Sequence, residues 1–473
     1  MPYLATKNKN INSKEGPNNV DRDLADNFKR TILENPKQDK KITIELGIKE
    51  GFITPFWQRK ITKFLSSLIP SRIKPEQQVW LDKPEKLVEF VDNIKNPDYD
   101  LSSIEYVCIS CTISDVYDIV DFFSTLKLKL PDHAKVFYCN YNWKWEWAFI
   151  LSGLIGFSMK KRWGNFYRDA DLNCFLDMSG WENIQEIRRY LLPFKLKFIS
   201  TFFDNLVRLP ILRGFALNTF FVARKKSEGI IEDHSVTVLI PCKNEETNIE
   251  AIVKRMPLFG KSIELIFVND KSTDRTESKI LSCQKQFPQK NIKLIEGDGK
   301  GKGEAVREGM KTASGDICMI LDADLSVIPE DLPQFYNAIN SRRADFIHGT
   351  RLVYSQEYDA MRPANILGNI LFSLIFSYVL EQRVTDTLCG TKVYWRRDWL
   401  IFEEMKSILK DTDVWGDYNL IFGAARFGLK VGELPVRYFQ RLEGVTKMNK
   451  RIRNGLIMLR VAWHALFSVK FIG

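Results

Sequence analysis

Glycine is absent from residues 52–152, and that gap excludes one large class of function from the first part of the chain. A dinucleotide or methyl-donor site needs a glycine-rich turn after its first strand, so that backbone can approach the ligand closely. The nearest candidate, ELGIKEG (45–51), runs into FITPFW and a lysine-rich segment rather than a strand–turn–helix, so no S-adenosylmethionine is expected to bind there. Paired cysteine motifs are equally scarce. The eight cysteines are scattered, several inside apolar runs (Cys108, Cys139, Cys318), and Cys108 and Cys111 form a CxxC with no second pair. That pattern disfavours a zinc cage or a disulfide framework and fits reduced, buried thiols. No apolar run reaches the roughly 20 residues of a membrane-spanning helix. The first forty residues have no apolar core and are rich in Lys, Asn, Asp and Glu, so residues 1–43 are expected to form a polar, mobile leader on a protein that stays in the cytoplasm.

What is present is a chain of 473 residues, 45% hydrophobic, with a formal net charge of +10. This length supports two or three domains, and the basic balance suggests an anionic partner: nucleic acid, a membrane surface or a phosphorylated substrate. Residues 44–225 alternate apolar strand-like runs, IEYVCIS (104–110) and KVFYC (135–139), with helical stretches such as 115–127. The aromatic cluster NYNWKWEWAF (140–149) is expected to be packing. The charged, glycine-bearing segment 226–234 reads as a linker. GWENIQEIRRYLLP (180–193) and ALNTFFVARK (216–225) resemble the second half of a Rossmann-like methyltransferase domain, which with the missing glycine turn implies a degenerate domain lacking its cofactor loop.

From Val236 onward the strand VTVLI runs into the polar turn PCKNEE, and IELIFVND, IKLIEG and ICMILDAD end on acidic residues or an acidic residue and glycine. The last ends on Asp322 and Asp324, which bracket Ala323 and so face one cleft, because side chains alternate along extended chain. A carboxylate pair of that kind suits Mg²⁺ or Mn²⁺ with open positions for phosphate oxygens. PCKNEE (241–246) leaves the first strand through Pro241, and GDGKGKGEAVREG (297–309) places glycines and Lys302 before a helix whose positive end can face diphosphate.

In this order the motifs resemble the family 2 glycosyltransferases of GT-A fold, near the dolichol- or polyprenyl-phosphate mannose synthase type. The resemblance implies a mixed, mostly parallel sheet with helices on both faces over residues 235–445, and an inverting, metal-dependent transfer from a GDP- or UDP-sugar. It carries Pro241, Asn244, Glu245, Asp270, Lys302, Asp322, Ala323 and Asp324 over as nucleotide-sugar contacts, with Asp322 and Asp324 also on the metal. In FVNDKSTDRT (267–276) Ser272 and Asp274 are expected to cap the next helix, while Asn269 and Lys271 stand where the family commonly has Asp and Gly. Arg351 and Arg362 are expected to hold an acceptor phosphate. VTDTLCGTK (384–392) makes Asp386 the carboxylate beside the acceptor, as base or as orienting group, with Asp417 as second choice. Arg441 and Lys447, in VRYFQRLEGVTKM, are expected to close over the diphosphate.

The run 364–380 carries Asn365, Asn369, Ser373 and Ser377 at four-residue spacing, one polar stripe on an apolar helix. It is expected to lie in a membrane interface, with a buried core helix as the alternative. The basic, amphipathic tail 446–473 with Trp463 and Phe467 points the same way. The reading is a peripheral enzyme on the cytoplasmic membrane face that makes a polyprenyl-phosphate sugar, with no nucleic-acid partner. The alternatives are a glycan-extending transferase with Asp386 or Asp417 as base, or a membrane-bound scaffold with relic sites.

Overall fold

Strands that are apolar on both sides must be covered on both faces, and that requirement shapes both sheets of this chain. The computed structural model describes residues 55–471 apart from 114–115, 117, 155–166, 192–196, 228, 230–231, 354–362, 411–412, 414 and 438–450. The described residues from Pro55 onward belong to one compact unit.

The first sheet has five strands, β1 (Gln78–Leu81), β2 (Tyr106–Thr112), β3 (Lys135–Tyr141), β4 (Trp181–Arg189) and β5 (Asn218–Lys225), in the order β1-β2-β3-β5-β4. Only β5 runs against the others. The turn from β1 into the helix Pro84–Ile94 is Asp82-Lys83, without glycine, and Pro84 opens the helix. ELGIKEG lies outside the described residues.

The second sheet has seven strands: β6 (Ser235–Cys242), β7 (Ser262–Asn269), β8 (Asn291–Glu296), β9 (Ile317–Ile320), β10 (Phe346–Thr350), β11 (Lys392–Trp395) and β12 (Val431–Pro435). Their order is β12-β10-β11-β9-β6-β7-β8, with β11 alone antiparallel. This is the mixed, mostly parallel α/β sheet with helices on both faces that the GT-A resemblance implies. One face is covered by Ile252, Val253, Phe335 and Ile339, the other by Phe372, Phe376, Phe402 and Phe422. Each such side chain, fully buried, contributes about 1.5–3 kcal/mol. The polar groups sit where the parallel strands end, because backbone leaving a sheet needs turn chemistry and solvent.

The two sheets are joined by buried charge. Asp345, just before β10, accepts from Arg224 Nη1 of β5 at 2.8 Å, from Lys135 Nζ of β3 at 2.6 Å and from the Lys430 backbone N at 3.0 Å. Glu182 of β4 accepts from Arg224 Nε at 2.9 Å and from Lys430 Nζ at 2.8 Å. Burial alone would raise the Asp345 pKa, but Arg224 and Lys135 hold it well below the usual carboxylate range.

Arg224→Met strips two carboxylates of a partner, and a broken buried pair of this kind costs about 3–5 kcal/mol, to be read as a lower urea midpoint. Asp345 has a depressed pKa, so its stabilisation is present above the unfolded value of about 3.9 and is lost as pH falls through the native value. The acid unfolding limb of the native chain is therefore expected below that pH, and in Arg224→Met it should move upward.

Candidate active site

Three strand ends and two helix starts meet at the C-terminal edge of the second sheet. After β6 the chain turns through Asn244 at φ 56°, a left-handed conformation that Asn tolerates better than most residues. Its Oδ1 accepts from the Thr273 backbone at 2.8 Å, and its own N–H donates to Ser272 Oγ at 3.0 Å. Ser272 thus braces the neighbouring turn rather than capping the helix Thr276–Gln286. Asp274 does hold that helix's first residue, accepting from Thr276 N at 3.0 Å, and it also accepts from Glu246 N at 3.2 Å. Lys271 has φ 56°, which explains why a glycine suits this place; a lysine adopts it at a cost of about 1 kcal/mol. Pro241 is the seventh residue of β6, and Glu245 Oε2 accepts from Asn248 Nδ2 at 2.9 Å.

Asp270, directly after β7, is almost fully buried. Its Oδ2 accepts from Gly301 N at 3.2 Å, in the glycine loop, and lies 3.5 Å from Lys243 Nζ. Its Oδ1 is buried with no hydrogen-bond partner among the described residues. A buried orphan carboxylate oxygen is costly, and a ligand N–H or O–H would relieve it.

The glycine loop leads into the helix Lys302–Met310, which starts against the helix Asp417–Arg426. A Cβ on Gly303 would stand 2.9 Å from Gly416 Cα, so only two glycines let these helix starts touch. That contact sets Lys302 Nζ 2.8 Å from Asp322 Oδ1 and 3.6 Å from Asp417 Oδ1. Burial disfavours the charged ammonium, but Asp322 and Asp417 more than offset this and raise the Lys302 pKa. Two helix N-termini and a charged lysine make one cradle for a diphosphate.

Asp322 and Asp324 follow β9 and Leu321, with Ala323 buried between them. Asp324 Oδ1 accepts from Ser326 N at 3.1 Å and Ser326 Oγ at 2.6 Å, a local turn that fixes the carboxylate. Among the described residues no group of three or more His, Cys, Asp or Glu could by itself hold a metal ion. Two carboxylates still fit Mg²⁺ or Mn²⁺, which take oxygen ligands and are commonly held by one or two carboxylates together with substrate phosphates.

Asp386 is fully buried in a closed network. Arg351 grips it twice, Nε to Oδ2 at 2.7 Å and Nη2 to Oδ1 at 2.8 Å, and the Arg351 backbone N donates to Oδ2 at 2.9 Å. Asn369 Nδ2 and Leu388 N add bonds of 2.8 and 2.9 Å to Oδ1. Burial would raise its pKa, but Arg351 and these donors hold it well below the usual carboxylate range. A carboxylate with five donors and a depressed pKa is a poor proton acceptor, so the geometry favours its orienting role over that of a base. The same pairing turns Arg351 toward Asp386.

Arg362, Arg441 and Lys447 lie outside the described residues. Three participants escaped the sequence analysis. Lys392 is fully buried in β11, its Nζ donating to the Cys389 carbonyl and lying 3.2 Å from Asp417 Oδ1. A lysine inside an otherwise apolar strand was the available signal. Asp413 accepts from four backbone N–H groups, those of Trp415, Gly416, Tyr418 and Asn419, and so fixes the start of the helix Asp417–Arg426. Gly390 leaves room for the acidic pair: a Cβ there would stand 1.9 Å from Asp322 Oδ2 and 2.7 Å from Lys302 Nζ.

Gly390→Ala is therefore expected to displace Asp322 and weaken Mn²⁺-dependent nucleotide binding by about tenfold or more, since a misplacement of 1 Å is enough for such losses. Titration calorimetry measures the binding, and an unchanged circular dichroism spectrum shows that the fold survives.

Comparison with known proteins covers the same region. Over 120 residues the chain is 38% identical to a dolichol-phosphate mannosyltransferase of Pyrococcus furiosus, covering 25% of this chain and 33% of that protein. Over 245 residues it is 25% identical to a dolichyl-phosphate beta-glucosyltransferase of Trichomonas vaginalis, covering 48% of this chain and 72% of that protein. The chain thus spans a third of the length of the first relative. Among solved structures, glucosyl-3-phosphoglycerate synthase of Mycobacterium tuberculosis aligns with a TM-score of 0.36 at 18% identity, covering 50% of this chain and 80% of that one. The family model described as Glycosyl transferase family 2 matches residues 237–400, the stretch that holds Asp270, Lys302, Asp322, Asp324, Arg351 and Asp386. Residues 237–400 are a Glycosyl transferase family 2 domain.

Proposed function

We propose that the chain transfers a sugar from a nucleotide-sugar to a polyprenyl phosphate at a membrane surface, as a peripheral, metal-dependent, inverting glycosyltransferase. The observation that carries this reading is the two-sidedness of the helix Pro363–Leu380. Its inner face holds the site: Asn369 donates to Asp386 and accepts from Thr387, and Ser377 bonds Val384. Its outer face shows Ile370, Leu371 and Leu374 to the exterior, Leu374 being 65% exposed. The polar stripe of the sequence thus points into the protein beside the core residues Phe372, Phe376, Val379 and Leu380, and a second apolar strip, Ile370, Leu371 and Leu374, points out. The side chain of Asn365 lies outside the described residues.

The helix is 18 residues long, about 27 Å, and no helix among the described residues is long and apolar enough to cross a membrane. An apolar outer face on such a helix suits an interfacial position. The helix Arg451–Ala465 packs beside it through Met458 and Val461 and exposes Leu456, Leu459 and Trp463, with Arg453 and Arg460 also exposed. Apolar, aromatic and cationic groups on one surface match an anionic membrane. The names of the two relatives, both dolichol- or dolichyl-phosphate sugar transferases, support the same class of acceptor.

In this reading a phosphate oxygen of the lipid attacks the anomeric carbon as the bond to the diphosphate breaks, and the nucleoside diphosphate leaves. Asp270 Oδ1 accepts from the base or ribose. Lys302 and the two helix starts take the charge that develops on the diphosphate. Asp322 and Asp324 would hold Mg²⁺ or Mn²⁺, which when bound supplies further charge stabilisation on the leaving group. The acceptor is already ionised and needs no base, in keeping with Asp386 as a positioning residue locked to Arg351. The first sheet acts as a scaffold behind β10 and β12.

Asp324→Ala is expected to reduce transfer to polyprenyl phosphate by about a hundred- to a thousandfold with the fold intact, as loss of a principal electrostatic stabiliser does. Product formation from a radiolabelled nucleotide-sugar panel with undecaprenyl or dolichyl phosphate measures this. Undiminished turnover in the variant, or turnover insensitive to chelator, would overturn the metal assignment.

A further inference from the structure

The aromatic cluster after β3 is not the packed core that its composition suggested. Asn142 accepts from Lys144 N at 3.1 Å and donates to Ala216 O at 2.9 Å, and Trp145 Nε1 donates to Phe215 O at 2.9 Å. These bonds anchor the turn Trp143–Trp145 and the helix Glu146–Leu154 that follows. On this base Trp147 is 65% exposed, and Trp143, Ile150, Leu151 and Phe215 are exposed with it. Trp147, Ile150 and Leu151 fall at i, i+3 and i+4, one stripe of the helix. Cations edge the patch: Lys144 Nζ stands 5.5 Å over the Phe215 ring and the Arg168 guanidinium 4.9 Å over Trp143. Glu146 is the one acidic residue of this helix.

The patch is tied to the C-terminal end of the helix whose outer face is the proposed membrane face. From Phe215 the chain runs back through exposed Ile211 and Leu209 to Arg208, whose carbonyl accepts from Tyr378 Oη at 2.6 Å. Arg213 pairs with Glu381 at 2.7 Å. Both partners sit at the C-terminal end of the apolar helix Pro363–Leu380. Indole rings beside lysine and arginine, on a helix with little charge, have the chemistry of a lipid headgroup boundary, where an apolar body and a polar tip are both satisfied.

We infer that the first sheet carries a second membrane-docking face, formed by Trp143, Trp147, Ile150, Leu151 and Phe215, that seats on anionic lipid beside the helix Pro363–Leu380. The inference rests on the membrane reading given above and extends it to a part of the chain outside the family 2 domain. Docked at two places, the molecule is fixed in tilt as well as in depth. Its two weak contacts act as one strong one, because the second forms at the high effective concentration set by the first.

The test uses the full chain and vesicles of phosphatidylcholine with phosphatidylglycerol. Trp143→Ser/Trp147→Ser is expected to lower vesicle partitioning in flotation by about tenfold or more. It should also reduce the part of the tryptophan fluorescence that brominated lipid quenches to the share contributed by Trp463, and leave transfer to a short-chain, water-soluble prenyl phosphate unchanged. Normal partitioning by this variant, with partitioning lost in Leu374→Ser, overturns the second face and leaves the membrane reading standing. A native chain that floats with no vesicle at any salt concentration overturns both. Sedimentation showing a dimer of the native chain that the double variant dissociates would assign the patch to a second copy and overturn the proposal.

Discussion

The grip of Arg351 on Asp386 is the interaction on which the rest of the site depends. It ties the end of β10 to the loop that leaves the apolar helix, and Asn369 extends the tie into the helix itself. Neither charge is tolerable alone at this depth; together, with three hydrogen bonds to Asp386 Oδ1 and two to Oδ2, they form a rigid joint in low dielectric. In the proposed function the acceptor side of the cleft is thereby held in register with the surface where Leu371 and Leu374 look outward. A helix that merely packed on the sheet would leave these two functions independent.

The donor side is built on a different principle. Charge there is balanced among the protein's own side chains. Lys302 and Lys392 converge on Asp417, and Lys302 also meets Asp322, so the cleft holds its acids and cations in contact with each other. A diphosphate with its cation can enter by exchanging partners with this set, which costs less than bringing new charge into an apolar cavity. The Gly303–Gly416 contact and the Asp413 cap keep the two helix starts aimed at that exchange.

Much of this was legible in the sequence, for a physical reason. Residues such as Asp270, Asp322 and Asp324 stand where an apolar run breaks, and a break after a buried strand is where a parallel sheet presents its side chains. The α/β class of residues 44–225 was legible from alternation, and the mixed, mostly parallel second sheet from the family resemblance. What escaped was everything decided by contact between distant segments. Periodicity placed Asn369, Ser373 and Ser377 on one side of a helix but could not say that this side faces inward. Composition made 140–149 look like core, although Trp143 and Trp147 stand outside it. Lys392 stands out as a lysine in an apolar strand, but its role shows only once Asp417 is seen beside it. Gly390 acquires its meaning only from Asp322, far away in the chain.

The charge network between the sheets also bears on how the chain is made. Arg224 leaves the ribosome 121 residues before Asp345, the counter-charge it needs. At usual synthesis rates that interval is on the order of ten seconds. During it Arg224 has Glu182 of its own sheet as partner, while Lys135 still lacks Asp345. The first sheet thus completes its charge pairing only when Asp345, at the start of β10, has been made.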